Sequence, residues 1–250
     1  MQTLKIYGER NTGTNYLRQL LESNIHVRLL KGTVPRKHPL CYNEFTKNFY
    51  FHFTSKHNLG WKHSFVDRGF VKKNTQLTNT YFIFLVKNPY SFLLSLYKKS
   101  YHFVGDKPET FQNFLNHAWR LQKRDNLKYK SLESPVFLWN LKVSSYLDFI
   151  DDQPANSMLI RYEDLVKDPK KTIQTIADSF DFNKKTSFIN ITSSTKPDNK
   201  RFEDYQDYYL NEKWRSYIET SDIELINNYL DKELVHRLGY EIIQTTDDKK

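Results

Sequence analysis

Three apolar segments of the chain are each followed by a segment with helical periodicity. Residues 4–7 alternate as a strand does, and residues 14–23 carry apolar side chains at helical spacing, which predicts a strand, a loop and a helix. Residues 81–86 form a continuous apolar run, typical of a strand covered on both faces, and a turn and a helix are predicted after it. A third inner strand is predicted over residues 157–162, again followed by a helix.

The alternation of strands and helices predicts a single α/β domain, with a mostly parallel sheet flanked by helices. Ligands of such folds bind at the carboxyl ends of the strands. Further helices are predicted at residues 111–121, 136–150 and 222–238. The last of these has Ser221 and Glu224 in the spacing of a capping box and Gly239 as a stop signal. Residues 31–58 show no clean period, so they are predicted to be an irregular excursion that contacts substrate.

Composition narrows the choice of protein class. No linker-like tract divides the 250 residues, so we predict one domain over residues 1–243 and a polar tail over residues 244–250. The formal charge of +9 indicates an anionic partner, although a biased genome accounts for it equally well. Cys41 is the single cysteine, which excludes an internal disulfide and a cysteine-cluster metal site. With no signal peptide and no membrane-spanning apolar run, a cytoplasmic location is expected.

The loop after the first strand has the spacing of a phosphate-binding loop. Gly8 and Gly13 match G-x-x-x-x-G, and the backbone N–H groups at the start of the next helix favour an anion. A nucleotide kinase would follow Gly13 with Lys and Ser or Thr, and would place a carboxylate after the second strand. Thr14, Asn15 and Lys87 stand at these positions instead. The sequence therefore argues against a magnesium-ATP site. The loop either binds another anion or is an ordinary tight turn.

Four segments, in order along the chain, resemble motifs of one enzyme family. "ERNTGTNY" is similar to the 5'-phosphosulfate loop K-S-G-T-T-W of sulfotransferases, and "LVKNPYSFLLSLY" resembles their 3'-phosphate motif, with Lys87 followed eight positions later by Ser95. "LIRYEDLVKDP" is similar to R-Y-E-D-L-x-x-D-P, and "EKWRSYI" with "LGYE" to the C-terminal helices. This resemblance implies a P-loop NTPase-like sulfotransferase fold. It also implies 3'-phosphoadenosine 5'-phosphosulfate (PAPS) as the sulfuryl donor, with no metal.

The resemblance gives roles to the residues that match its motifs. Those on the phosphosulfate loop are Thr12, Gly13, Thr14, Asn15 and Tyr16. Lys87 and Ser95 would bind the 3'-phosphate, and Tyr162 would lie near the nucleotide. His63 precedes Lys87 by 24 residues, close to the offset of the family's catalytic base, and histidine is suited to accept a hydroxyl proton near neutral pH. A structural histidine beside Trp61 is the alternative interpretation.

Two parts of the family's pattern are missing. The loop lysine that reaches the bridging oxygen of the donor falls on Asn11, so the positive charge is expected from Arg10 or from Lys62. The late basic motif R-K-G is also absent, and "KPDNKRF" offers three substitutes, namely Lys196, Lys200 and Arg201. A basic run of this kind is equally typical of a solvated loop.

The acceptor is predicted to be a hydroxyl compound, with a carbohydrate or glycoconjugate as the first candidate. Aromatic side chains that could stack on sugar rings occur at Tyr42, Phe45, Phe49, Tyr50, Phe51 and Phe53. The same side chains would serve equally well as core or lid packing. A nucleotide kinase is the alternative enzyme, and a basic nucleic-acid-binding domain is the non-enzymatic alternative. No recognisable nucleic-acid-binding motif supports the latter, so nucleic acid is not expected as a partner.

Overall fold

The computed structural model describes residues 2–35, 37–41, 43–75, 77–100, 108–194 and 200–245. The strands are β1 (Thr3–Gly8), β2 (Arg28–Leu29), β3 (Thr80–Val86), β4 (Trp119–Arg120), β5 (Ser131–Leu132) and β6 (Ser157–Arg161). The helices are α1 (Thr14–Asn24), α2 (Glu44–Asn58), α3 (Arg68–Asn74), α4 (Pro89–Lys98), α5 (Phe111–Leu115), α6 (Val136–Asp152), α7 (Tyr162–Lys167), α8 (Pro169–Ser179), α9 (Phe202–Leu210), α10 (Thr220–Tyr229) and α11 (Lys232–Arg237).

The main sheet is parallel and places the predicted inner strands side by side. Within the described residues its four strands lie in the order β2, β1, β3, β6, and β4 and β5 form a separate antiparallel pair. Gly8 at the end of β1 is the register partner of Leu85 in β3. Because neighbouring strands are about 4.8 Å apart, the two predicted strand-to-helix anion sites lie next to each other.

Apolar side chains cover both faces of this sheet. Ile83 and Leu85 of β3 belong to a buried cluster with the apolar face of α1 and with α8. Phe82 and Phe84 point to the opposite face, where the ring centroid of Phe84 lies 5.2 Å from that of Tyr146 in α6. The predicted single-domain fold, a mostly parallel sheet between helices, is therefore confirmed.

The prediction of an irregular excursion was wrong for residues 44–58, which form helix α2. Asn43 caps the helix, because its side chain accepts a hydrogen bond from the Thr46 N–H at 2.9 Å. At the other end Lys5 Nζ, on β1, donates to the carbonyl oxygens of Asn58 at 2.6 Å and Gly60 at 2.5 Å. The helical period was hidden because aromatic side chains occupy the solvent face as well as the buried face.

Two other predicted helices are shorter than expected. The helix predicted at residues 111–121 ends at Leu115, because Trp119 pairs with Leu132 in the β4–β5 ladder. The helix predicted at residues 222–238 is divided into α10 and α11, because the Asp231 side chain caps a new helix by accepting from the Leu234 N–H at 3.1 Å. The capping box of α10 uses Glu219 and Asp222 instead of the predicted pair, whereas the stop at Gly239 is confirmed by its φ of 69°.

Some predictions fall on residues that the structure does not describe. These are the candidate sugar-stacking Tyr42, the candidate cation Lys196, and residues 246–250 of the tail. The boundary between a domain ending at residue 243 and a polar tail therefore stays a prediction. Among the helices that are described, none is long and apolar enough to cross a membrane.

Candidate active site

The phosphate-binding loop runs from the end of β1 to the start of α1 and closes on Gly13. This residue has a φ of 85°, a left-handed conformation that favours glycine. A Cβ atom at Gly13 would lie only 2.5 Å from Cε2 of Tyr162, so the loop backbone packs directly on that ring. Thr12 closes the turn by donating from Oγ1 to the carbonyl oxygen of Glu9 at 2.5 Å. The structure thus brings Tyr162 to the loop, as the resemblance implies.

The start of α1 is suited to hold an anion. No acidic side chain occupies its first turn, and no side chain caps it, so the N–H groups of Thr14, Asn15 and Tyr16 point out of the helix end. Lys62 adds a positive charge there, since its Nζ donates to Asn15 Oδ1 at 2.6 Å. The Asn11 side chain donates to the carbonyl oxygen of Ser95 at 3.3 Å.

Lys87 and Ser95 meet at the second predicted anion site. Lys87 Nζ lies 2.8 Å from Ser95 Oγ, because two turns of α4 return the serine over the end of β3. The lysine is fully buried, and its ammonium also contacts the Tyr209 hydroxyl at 2.9 Å. A wholly buried cation beside two hydroxyl groups is an arrangement that can bind a phosphate.

Sequence reasoning missed Tyr209, which belongs to this second site, and Lys98, a cation nearby. Tyr209 is supplied by α9, and its position gave no signal in the sequence. Lys98 packs its ammonium 4.0 Å from the Tyr217 ring, and its pKa is lowered by burial and by the nearby charges of Lys200 and Lys87. The spacing of three between Ser95 and Lys98 places both on one face of α4, and this signal was available.

The two late basic candidates that are described occupy different places. Lys200 is exposed and lies 5.7 Å from the ring of Tyr208, on the side of Lys98. Arg201 is exposed at the start of α9, where its backbone N–H bonds the Asp204 carboxylate at 2.8 Å. The structure therefore brings Lys200 close to Lys98 and Tyr208, whereas Arg201 contacts Asp204.

An aromatic slot lies beside the loop. Tyr16 and Phe202 stack with ring centroids 5.8 Å apart, and the Tyr16 hydroxyl donates to Asn190 Oδ1 at 2.9 Å. Gly13 and Tyr162 complete the small cavity around these rings. Stacked aromatic faces of this kind bind flat heterocycles such as a nucleobase.

The His63 ring is held by a hydrogen bond to the backbone at the end of β1. Its Nδ1 lies 2.5 Å from the carbonyl oxygen of Gly8, and because a carbonyl only accepts, Nδ1 carries the proton. Burial, together with the charges of Lys62 and Arg10, lowers the pKa of His63 well below its usual value. The imidazole is therefore neutral at pH 7, with the lone pair on Nε2, which is the form a general base requires.

Arg10 occupies a different position from Lys62. Its guanidinium lies over the ring of Trp61 at 4.5 Å, and Arg124 lies 4.6 Å from the same ring. The Trp61 ring meets His63 edge-on at 5.0 Å. Burial lowers the pKa of Arg10 to about 10, so it stays charged at neutral pH. The structure thus places the Arg10 guanidinium near His63, whereas the Lys62 ammonium contacts the first turn of α1.

The charged groups of the site are side chains of the chain itself. In the described part of the chain, no group of three or more His, Cys, Asp or Glu side chains is arranged to hold a metal ion. Lysine and arginine side chains supply positive charge at the site. A parallel α/β fold with two adjacent anion sites at its strand ends defines a P-loop-like nucleotide-binding protein.

Comparison with known proteins identifies the family. The model of the family described as "Sulfotransferase domain" matches residues 5–239, so the chain belongs to the sulfotransferase family. It is accordingly an enzyme that transfers a sulfuryl group from PAPS, as the sequence predicted. Among curated proteins, none matches the chain.

Several solved structures of sulfotransferases are similar to this chain. Mouse sulfotransferase SULT7A1, complexed with PAP, is 15% identical with a TM-score of 0.50, and the match covers 99% of this chain and 85% of that one. The sulfotransferase domain of the Synechococcus PCC 7002 olefin synthase is 16% identical with a TM-score of 0.49, covering 91% of this chain and 94% of that one. The sulfotransferase domain from the curacin biosynthetic pathway is 14% identical with a TM-score of 0.48, covering 97% and 99%.

Proposed function

We propose that this enzyme transfers the sulfuryl group to an acceptor hydroxyl by in-line displacement, with His63 as the general base. The observation that carries the proposal is the contact of His63 Nδ1 with the Gly8 carbonyl, which directs the basic Nε2 of a neutral imidazole away from the loop backbone. His63 Nε2 would take the acceptor proton as the acceptor oxygen attacks sulfur. The bond from sulfur to the bridging oxygen of the 5'-phosphate breaks, and its electron pair stays on that oxygen.

Lys62 is our candidate for stabilising that oxygen. Its ammonium already contacts Asn15 in the first turn of α1, where the helix N-terminus favours negative charge. Thr12, Gly13, Thr14 and Asn15 would hold the phosphosulfate, and Arg10 would add charge from the side of Trp61. The adenine would stack on Tyr16 and Phe202.

A carbohydrate or glycoconjugate remains our first candidate for the acceptor. Phe45, Phe49 and Phe53 of α2 present exposed rings, and such rings can stack on the faces of sugars. The cytoplasmic location also stays a prediction from the sequence.

Binding of adenosine 3',5'-bisphosphate (PAP), the desulfonated donor, tests the donor site. Calorimetry is expected to detect PAP binding with equal affinity in the presence and absence of EDTA, because the site charges are side chains. Lys87→Ala should weaken PAP binding by about 1.5 to 3 kcal/mol, the scale for a hydrogen bond to a charged group. Adenosine 5'-phosphate, which lacks the 3'-phosphate, is the matched control and should bind both proteins alike. Loss of PAP binding in EDTA, or an equal loss for both ligands, would contradict this assignment.

PAP affinity is also expected to depend on pH through Lys62. Burial, and to a smaller extent the charge of Arg18, lowers the pKa of Lys62 to about 7. The side chain is cationic below that pKa and loses its charge as the pH rises through it, so attraction for the 5'-phosphate should weaken above about pH 7. Lys62→Met should flatten this part of the calorimetric affinity profile.

Lys5 provides the control for the pH experiment. Its pKa is also lowered to about 7, by burial and then by the charge of Lys62, but its ammonium bonds carbonyl oxygens at the end of α2. Lys5→Met should therefore keep the slope of PAP affinity against pH. A profile that Lys62→Met leaves unchanged would remove Lys62 from the donor site.

A further inference from the structure

A cavity of about 560 Å³ lies between α2, α3 and the segment that carries His63. Its walls are predominantly apolar and include the aromatic side chains of Tyr7, Phe49, Phe51, Phe53, Trp61 and Phe65. This volume is in the range of cavities that bind small organic molecules. Neither the donor-binding loop nor the Lys87 site uses it.

Three of the aromatic rings that line the cavity are also exposed to solvent. Phe45 is 78% exposed, Phe49 49% and Phe53 61%, and their spacing of four places them on one stripe along α2. The rings of Phe49 and Phe53 meet edge-on with centroids 4.6 Å apart. A continuous exposed aromatic surface at the mouth of a cavity is characteristic of a binding site.

Helix α2 is anchored at both ends, which sets where its backbone presents these exposed rings. Arg124 bonds the Glu44 carboxylate and donates to Asn48 Oδ1 at 2.8 Å. The Tyr7 hydroxyl donates to the Leu59 carbonyl at 2.5 Å, next to the carbonyls held by Lys5. The helix therefore presents its aromatic stripe in a constant position.

The inner end of the cavity reaches the segment that carries the base. Trp61 and Ser64 both line the cavity, and they flank His63 in the chain. The rings of Trp61 and His63 are in edge contact at 5.0 Å. A molecule that extends from the α2 stripe to Trp61 would therefore end within a ring's width of His63.

We propose that this cavity binds the acceptor and that the acceptor is amphipathic, with an apolar portion on the α2 stripe and a hydroxyl-bearing polar head toward His63. The reaction at that hydroxyl rests on the proposed function, whereas binding of the amphipathic molecule in the cavity does not. A sugar stacked on these rings would cover only part of the exposed surface of Phe45, Phe49 and Phe53, whereas a glycoside with an apolar aglycone covers more of it and still supplies hydroxyl groups. The apolar portion then contributes most of the affinity.

Octyl β-glucoside and methyl β-glucoside form a matched pair of probes, because they share the sugar and differ in the alkyl chain. Calorimetry below the micellar concentration is expected to show at least about 30-fold tighter binding of the octyl compound, since each buried methylene contributes about three- to fourfold. The double variant Phe49→Ser with Phe53→Ser should lose about tenfold of the octyl affinity. Tyr129→Ser is the control, because Tyr129 is 59% exposed and lies outside the cavity lining.

The outcomes separate this proposal from the donor-site assignment. Equal affinity for the two glucosides, undetectable octyl binding to protein that still binds PAP, or octyl binding unaffected by the α2 substitutions would each overturn the cavity proposal. PAP affinity should be the same in the wild type and in both α2 and Tyr129 variants. Failure of the wild type to bind PAP would instead count against the proposed function, while the glucoside measurements would still decide the cavity.

Discussion

Replacing His63 with alanine is expected to lower turnover by about 10² to 10⁴, the usual contribution of general base catalysis, while PAP affinity stays within a few fold. The expectation follows from the neutral imidazole at the loop, whose Nδ1 proton is bound by the Gly8 carbonyl. In our proposal His63 does not bind the donor, so its loss should lower the turnover rate and leave donor binding nearly unchanged. Steady-state turnover and PAP calorimetry on the same variant measure the two effects.

The pH profile and a second histidine complete this test. Because burial lowers the pKa of His63, the base stays unprotonated as the pH falls, and the acid limb of turnover should lie below the usual pKa of histidine. His57→Ala is the control, because His57 is exposed at the end of α2. Unchanged turnover in His63→Ala would return His63 to a structural role beside Trp61.

Removing Lys62 is expected to have the second large effect, a fall in turnover of about 10² to 10³, as for the loss of a group that stabilises transition-state charge. The ammonium contacts the first turn of α1 through Asn15, whereas the Arg10 guanidinium lies over Trp61. Charge on the bridging oxygen grows as the sulfur bond breaks, so Lys62→Ala should reduce turnover more than it weakens PAP binding. Arg10→Ala should show a smaller loss.

Rescue by Asn11→Lys gives a sharper form of the same test. If Asn11 occupies the position of the family's loop lysine, Asn11→Lys should partly restore turnover in Lys62→Ala. Lys72→Ala is a suitable control, since Lys72 forms an exposed ion pair with Asp152. Full turnover in Lys62→Ala together with a large loss in Arg10→Ala would transfer the role to Arg10. In that case Arg10→Lys should retain part of the rate, because an ammonium would still supply the charge.

Sequence patterns predicted the elements around the Gly13 loop more reliably than the elements around the α2 cavity. The strand, loop and helix around Gly13 were predicted correctly, because a period of two, the G-x-x-x-x-G spacing and a period of 3.6 are each local signals. Helix α2 was missed, because exposed rings such as Phe49 mask its amphipathic pattern and because anchors such as Lys5 are distant in sequence. Local periodicity contains no information about such anchors.

The sequence by itself determined the sulfotransferase family. It also determined the contact of Lys87 with Ser95, because the eight positions between them run from the end of a strand through two turns of a helix, and backbone geometry alone then brings the two side chains together. Only the tertiary structure brought Tyr209 to Lys87, across 122 positions, and placed the Arg10 guanidinium over Trp61. It also brought the Lys62 ammonium to Asn15 in the first turn of α1. These contacts depend on how separate elements pack around the sheet, and packing is a property of the whole buried core that no short segment encodes.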